Sequence, residues 1–87
     1  MSRLTKIDRM TAEEKKALID SFHVAPGTAE FSPEALALAC NFSLPWLQKK
    51  RSEGGGIPFS KPNRTTVLYR KQDVLDYIEA SRLKHTA

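Results

Sequence analysis

FSPEALALACNFSLPWLQKKR, residues 31–51, holds two helix starts and one helix stop within twenty-one positions. Ser32 is a good N-cap, and Pro33 behind it suits the first helical position, where a missing N–H costs nothing. Leu36, Ala37 and Cys40 follow at the spacing of one buried helical stripe, with Ala37 small enough to let a second helix cross closely. Asn41 accepts the left-handed backbone that a helix C-terminus often needs. Phe42 is an apolar plug, and Ser43 caps a second helix from Leu44 to Arg51. Pro45 is tolerated at its second position, because that N–H has no intrahelical partner, and the helix ends in Lys49, Lys50 and Arg51. A capped helix, a short turn and a capped basic helix form the outline of a helix-turn-helix.

Toward the N-terminus, Thr11-Ala12-Glu13-Glu14 is a capping box that opens a helix over 11–23. Ala17, Leu18 and Phe22 give that helix an apolar face, with Ile19 beside it, and Pro26-Gly27 ends it. It is expected either to lie across the core as an extra layer or to offer its apolar face to a second copy. Met1 to Met10 has no periodicity and is expected to be mobile. Thr28-Ala29-Glu30 reads as a connector, which makes residues 1–30 an extension carrying one helix. Phe31 is expected to pack beneath the two following helices.

Toward the C-terminus, Gly54-Gly55-Gly56 breaks the second helix. No lysine and Ser/Thr pair follows, so these glycines read as an exit loop and not a phosphate cradle. Ile57-Pro58-Phe59-Ser60 and Thr65-Thr66-Val67-Leu68-Tyr69 read as two short strands. Lys61-Pro62-Asn63-Arg64 turns between them, giving a hairpin with a basic tip. A last helix runs from Arg70 to about Leu83, with Val74, Leu75 and Ile78 as its buried stripe and Tyr77 on the flank. Gln72, Asp76 and Glu79 face water, and the tail 84–87 is expected to fray. The fold class is therefore mainly α with a small β-hairpin: a winged helix-turn-helix over 31–83 with an additional N-terminal helix.

Eighty-seven residues, 40% of them apolar, suffice for one small core. No apolar run approaches the ~20 residues that span a bilayer, and charges at Arg3, Lys6, Asp8 and Arg9 break any signal-peptide pattern. With one cysteine, Cys40, which reads as a small core residue, the expectation is a cytoplasmic protein with no membrane contact. The net charge of +4 is unevenly spread. Residues 1–42 carry five basic and six acidic side chains, and residues 43–87 carry nine basic and four acidic. From Gln48 to Lys71 there are seven basic residues and one acid, Glu53. That asymmetry favours a polyanionic partner, of which nucleic acid is the commonest.

The pattern resembles the excisionase-like winged helix-turn-helix family, related to the DNA-binding head of MerR-type regulators. The resemblance rests on Phe31-Ser32-Pro33-Glu34, Ala37, Phe42-Ser43, Leu47 to Arg51, Gly56-Ile57-Pro58-Phe59, Lys61 to Arg64 and Tyr69-Arg70-Lys71-Gln72-Asp73-Val74, and it spans about fifty residues. The chain departs from the family at Cys40-Asn41, where a Leu-Gly pair is usual, and at Leu44-Pro45, where polar or basic groups are usual. The resemblance implies sequence-selective binding to double-stranded DNA, with the helix at 43–51 in the major groove and the wing at 57–69 on the backbone or minor groove. The role implied is an excisionase-like recombination factor or a small transcriptional regulator, from a phage or mobile element.

On that surface, Gln48 is the candidate for a bidentate contact to adenine, and Leu44 and Pro45 offer apolar contact to a thymine methyl. Lys49 and Arg51 suit phosphates, while Lys50 is expected to pack its stem over the body. The amides above Ser43 suit a phosphate too. Lys61, Asn63 and Arg64 make up the wing tip, and Arg70 and Lys71 suit phosphates at its base. One short recognition helix reads few base pairs, so several copies are expected on DNA, as a dimer or a head-to-tail array. The further partner expected from the resemblance is an integrase or the transcription machinery. His23 and His85 lie outside the module without partners at metal or triad spacing, so no enzyme, cofactor or metal site is expected. The competing reading is a winged-helix assembly module, such as a phage packaging small subunit or a recombination accessory factor, with Leu44 and Trp46 on the partner surface.

Overall fold

A computed structural model describes residues 9–84; what the sequence suggests for 1–8 and 85–87 lies outside the described residues. Four helices account for most of it: α1 (Ala12–Val24), α2 (Pro33–Cys40), α3 (Leu44–Glu53) and α4 (Lys71–Lys84). Two short strands, β1 (Glu30–Phe31) and β2 (Tyr69–Arg70), pair antiparallel with Phe31 opposite Tyr69.

The helix starts follow the side-chain chemistry. The Thr11 hydroxyl accepts from the Glu14 amide at 3.1 Å while the Glu14 carboxylate accepts from the Thr11 amide at 2.9 Å. Those bonds favour the ionised carboxyl and hold it below the ordinary glutamate range. The box is thus intact at neutral pH and is lost as pH falls through that lowered value. Ser32 and Ser43 accept from the amides of Ala35 and Trp46. Asn41 stops α2 in the left-handed conformation, at φ 61°.

The core is one cluster of Phe22, Leu36, Leu47, Ile57, Tyr69 and Val74, contributed by all four helices, β2 and the loop after α3. Of the two placements open to α1, the structure takes the first: α1 packs against α2, and Phe22 is 1% exposed with its ring 5.0 Å from that of Phe31. Leu18 and Ile19 are half-buried, while Ala17 faces solvent. The enclosed small residue of α2 is Ala35, not Ala37, because the inward face is Ala35, Leu36, Ala39 and Cys40. Ala37 lies beside that face, half-buried.

Two expectations about strands are corrected. The stretches 57–60 and 65–69 do not form a full ladder; one bridge joins Ser60 and Leu68, with reciprocal bonds of 2.8 and 2.9 Å. Pro58 and Pro62 supply no amide, and the Asn63 side chain takes the Thr65 and Thr66 amides, so few donors remain for a ladder. Conversely, Glu30 is no mere connector, since it opens β1 opposite Arg70. The chain from Leu68 to Arg70 thus lies between Ser60 on one edge and β1 on the other, and Ser60 Oγ reaches Glu30 Oε2 at 3.2 Å. Past β2 the register continues, with the Lys71 and Gln72 amides donating to the Ala29 and Gly27 carbonyls.

The buried stripe of α4 also differs. Val74 is 0% exposed and Tyr77 packs at the edge, but Leu75 and Ile78 are 41% and 38% exposed. α4 begins one residue later than expected, at Lys71, and remains helical through Lys84.

Candidate nucleic-acid interface

α3 presents two faces. Leu47 is buried and Leu44, Lys50 and Arg51 are half-buried, while Pro45, Gln48, Lys49 and Ser52 are all exposed. The second set follows i, i+3, i+4, i+7 spacing, which is one continuous helical face. Ser52 lies beyond the Arg51 end that the sequence suggests for this helix, since α3 continues to Glu53; its i+7 spacing from Pro45 is the signal that points to it. The outward companions of Gln48 are Pro45, Lys49 and Ser52, whereas Leu44 packs partly onto the core. Gly54, at φ 86°, turns the chain out of α3 in a conformation few other residues adopt.

The α2–α3 turn is filled by aromatics. Phe42 stacks on Trp46 at 5.3 Å, and Tyr77 of α4 leans on both at 6.4 and 5.8 Å. This sets the start of α3 against α4 and explains why Trp46, at the core edge, is half-buried.

Beyond α3, the loop from Gly54 to Val67 carries Lys61 and Arg64, both exposed. Its tip is shaped by Asn63, whose Oδ1 accepts from the Thr65 amide at 3.0 Å, the Thr66 amide at 2.9 Å and the Thr65 hydroxyl at 3.1 Å. Asn63 therefore organises the tip around Arg64, and its side-chain oxygen is already engaged.

Several of the candidate phosphate ligands have other partners. Arg51 donates from Nη1 to the Tyr69 hydroxyl at 2.7 Å, tying α3 to β2. Arg70 pairs with Asp73 at 3.1 Å. Lys71 is the clearest case: its ammonium donates to the His23 carbonyl at 3.0 Å and the Ala25 carbonyl at 2.8 Å, and lies 5.3 Å from the centre of the Phe22 ring. It closes the C-terminal end of α1. Its charge also partly offsets the burial that pushes the Cys40 thiol above its ordinary range. The Ser43 hydroxyl is engaged in its own cap. Lys49, Lys61 and Arg64 have no carboxylate at ion-pair distance among the described residues.

The Arg51–Tyr69 bond carries a simple expectation. Tyr69→Phe keeps the buried ring and removes one hydrogen bond, so thermal unfolding should show a loss of about 1 kcal/mol. A variant as stable as the wild type would mean that this bond does not fasten α3 to the strand.

Among the described residues no helix is long and apolar enough to cross a membrane. No family model matches this chain, and no curated protein or solved structure matches it either.

Proposed function

We propose that this chain is a winged-helix module that binds double-stranded DNA, with α3 in the major groove and the 57–68 loop on the backbone or minor groove. The observation that carries the reading is the set of uncommitted polar and cationic side chains. Pro45, Gln48, Lys49 and Ser52 share the outer face of α3, while Lys61 and Arg64 stand at the loop tip. Around them the chain is almost free of acids. Gln48 suits a base edge, and Lys49, Lys61 and Arg64 suit phosphates. So short a reading helix implies more than one copy on the duplex, in a transcriptional or recombination role.

Mobility-shift titrations on random duplex over a range of salt test this. The affinity should fall steeply with salt, and Arg64→Ala should weaken binding to all sequences while making the slope shallower by about 0.9. Gln48→Ala should leave the slope alone and change which selected sites are preferred. A titration with no salt dependence would remove the duplex as partner. It would favour the second reading, an assembly module docking through the half-buried Leu44, Phe42 and Trp46.

A further inference from the structure

The surface proposed for the duplex has two halves, and each is fastened to the same core. α3 is held by the buried Leu47 and by the Arg51–Tyr69 bond, and the 57–68 loop by the buried Ile57 and the Ser60–Leu68 bridge. The halves meet where the chain leaves α3. There Gly56 is half-buried against the stem of Lys50. A Cβ built at Gly56 would stand 2.6 Å from Lys50 Cβ, 3.3 Å from its Cγ and 3.7 Å from its Cα. Carbon atoms in contact sit about 3.5–4.0 Å apart, so the first distance is far too short for any side chain at 56. Lys50 Cβ is placed by the helix backbone and cannot swing aside as the end of a long side chain would. The glycines after α3 therefore do more than let the chain leave the helix: at Gly56 the loop closes onto it.

We infer, resting on the duplex reading above, that Gly56 is a positioning residue for DNA binding. By carrying no side chain it sets how near the loop with Lys61 and Arg64 lies to the outward face of α3. A methyl group at 56 forces one half to move. Ile57 opposes motion of the loop and Leu47 opposes motion of the helix, so whichever yields, the separation and tilt between them change. The phosphates of a duplex have fixed spacing. A loop displaced from α3 loses its phosphates while Gln48 and Lys49 keep their contacts.

Gly56→Ala tests this in two measurements. In the free chain, residual dipolar couplings of the backbone amides report how α3 and the loop are oriented against the other helices. The wild type should fit one rigid arrangement. In Gly56→Ala the couplings of 44–53 or of 57–68 should depart from it while those of α1, α2 and α4 are kept. On duplex DNA the salt slope should become shallower by about 1.8, for two phosphate contacts at about 0.9 each. A chain that is merely less stable, titrated well below its melt, would keep the wild-type slope. Lys50→Gly removes the Cβ and Cγ that the new methyl meets, so the Gly56→Ala, Lys50→Gly double variant should recover the slope of Lys50→Gly alone. Unaltered couplings, an unaltered slope beside a steep wild-type slope, a double variant no better than Gly56→Ala, or a Gly56→Ala chain that does not fold would each overturn the inference. A wild type without salt dependence would instead remove the duplex reading and the positioning role with it; altered couplings would then leave Gly56 as a spacer of the fold alone.

Discussion

Leu36→Ala is expected to destabilise the protein by about 2–5 kcal/mol, the range for a leucine removed from a site that cannot collapse. Leu36 is 0% exposed and lies in the one cluster that α1, α2, α3, α4 and β2 share. A chain of this length has about 4–13 kcal/mol of total stability, so the loss is a large share of it. The melting temperature should drop by about 8–40 °C, since each kcal/mol moves it by about 4–8 °C at this size. Leu75→Ala is the internal comparison. The sequence reads both leucines as core, but Leu75 is 41% exposed, and its truncation should stay within about 0.5 kcal/mol. Two variants with similar melts would contradict the packing of α4 described above.

Lys71→Met is expected to cost about 2–3 kcal/mol. Methionine keeps the apolar stem over Phe22 but removes the ammonium, and with it two charge-assisted bonds that close α1. The Ala25 carbonyl, in a half-buried setting, is left without that donor. The salt slope of duplex binding should be unchanged. A phosphate ligand would behave in the opposite way, with an unaltered melt and a slope shallower by about 0.9. Measuring both quantities on the one variant therefore decides between a residue that builds the fold and one that serves the surface.

The starts of α1, α2 and α3 and the end of α2 were legible because capping is local chemistry. Thr11 with Glu14, Ser32 with Pro33, Asn41, and Ser43 with Pro45 each act within a few residues, and each takes the place its side chain suggests. β1 was not legible. Two residues have no period to read, and what makes Glu30 and Phe31 a strand is a register with Tyr69 and Arg70 some forty positions away. The α4 stripe failed for a related reason. Val74, Leu75 and Ile78 fit a helical face, yet Val74 and Tyr77 define the side that packs, and nothing local says which flank is covered. On the candidate surface, residue type told which side chains could meet phosphate but not which were already engaged. Arg51 and Lys71 look no different in sequence from Lys49 and Arg64; tertiary contacts with Tyr69 and with the end of α1 separate them, whereas Arg70 is engaged locally by Asp73, three residues on.

The proposed function puts one outward face of α3 and the tip of the following loop on the same duplex. Amide chemical shifts of the isotope-labelled chain, followed as duplex DNA is added at low salt, test it most directly. The largest shifts should fall on the amides flanking Pro45 through Ser52 and on those of Lys61 and Asn63 through Thr66, with the amides of Val74 to Arg82 moving little. Shifts confined to α4 or to the end of α1, or no shifts at all, would contradict it.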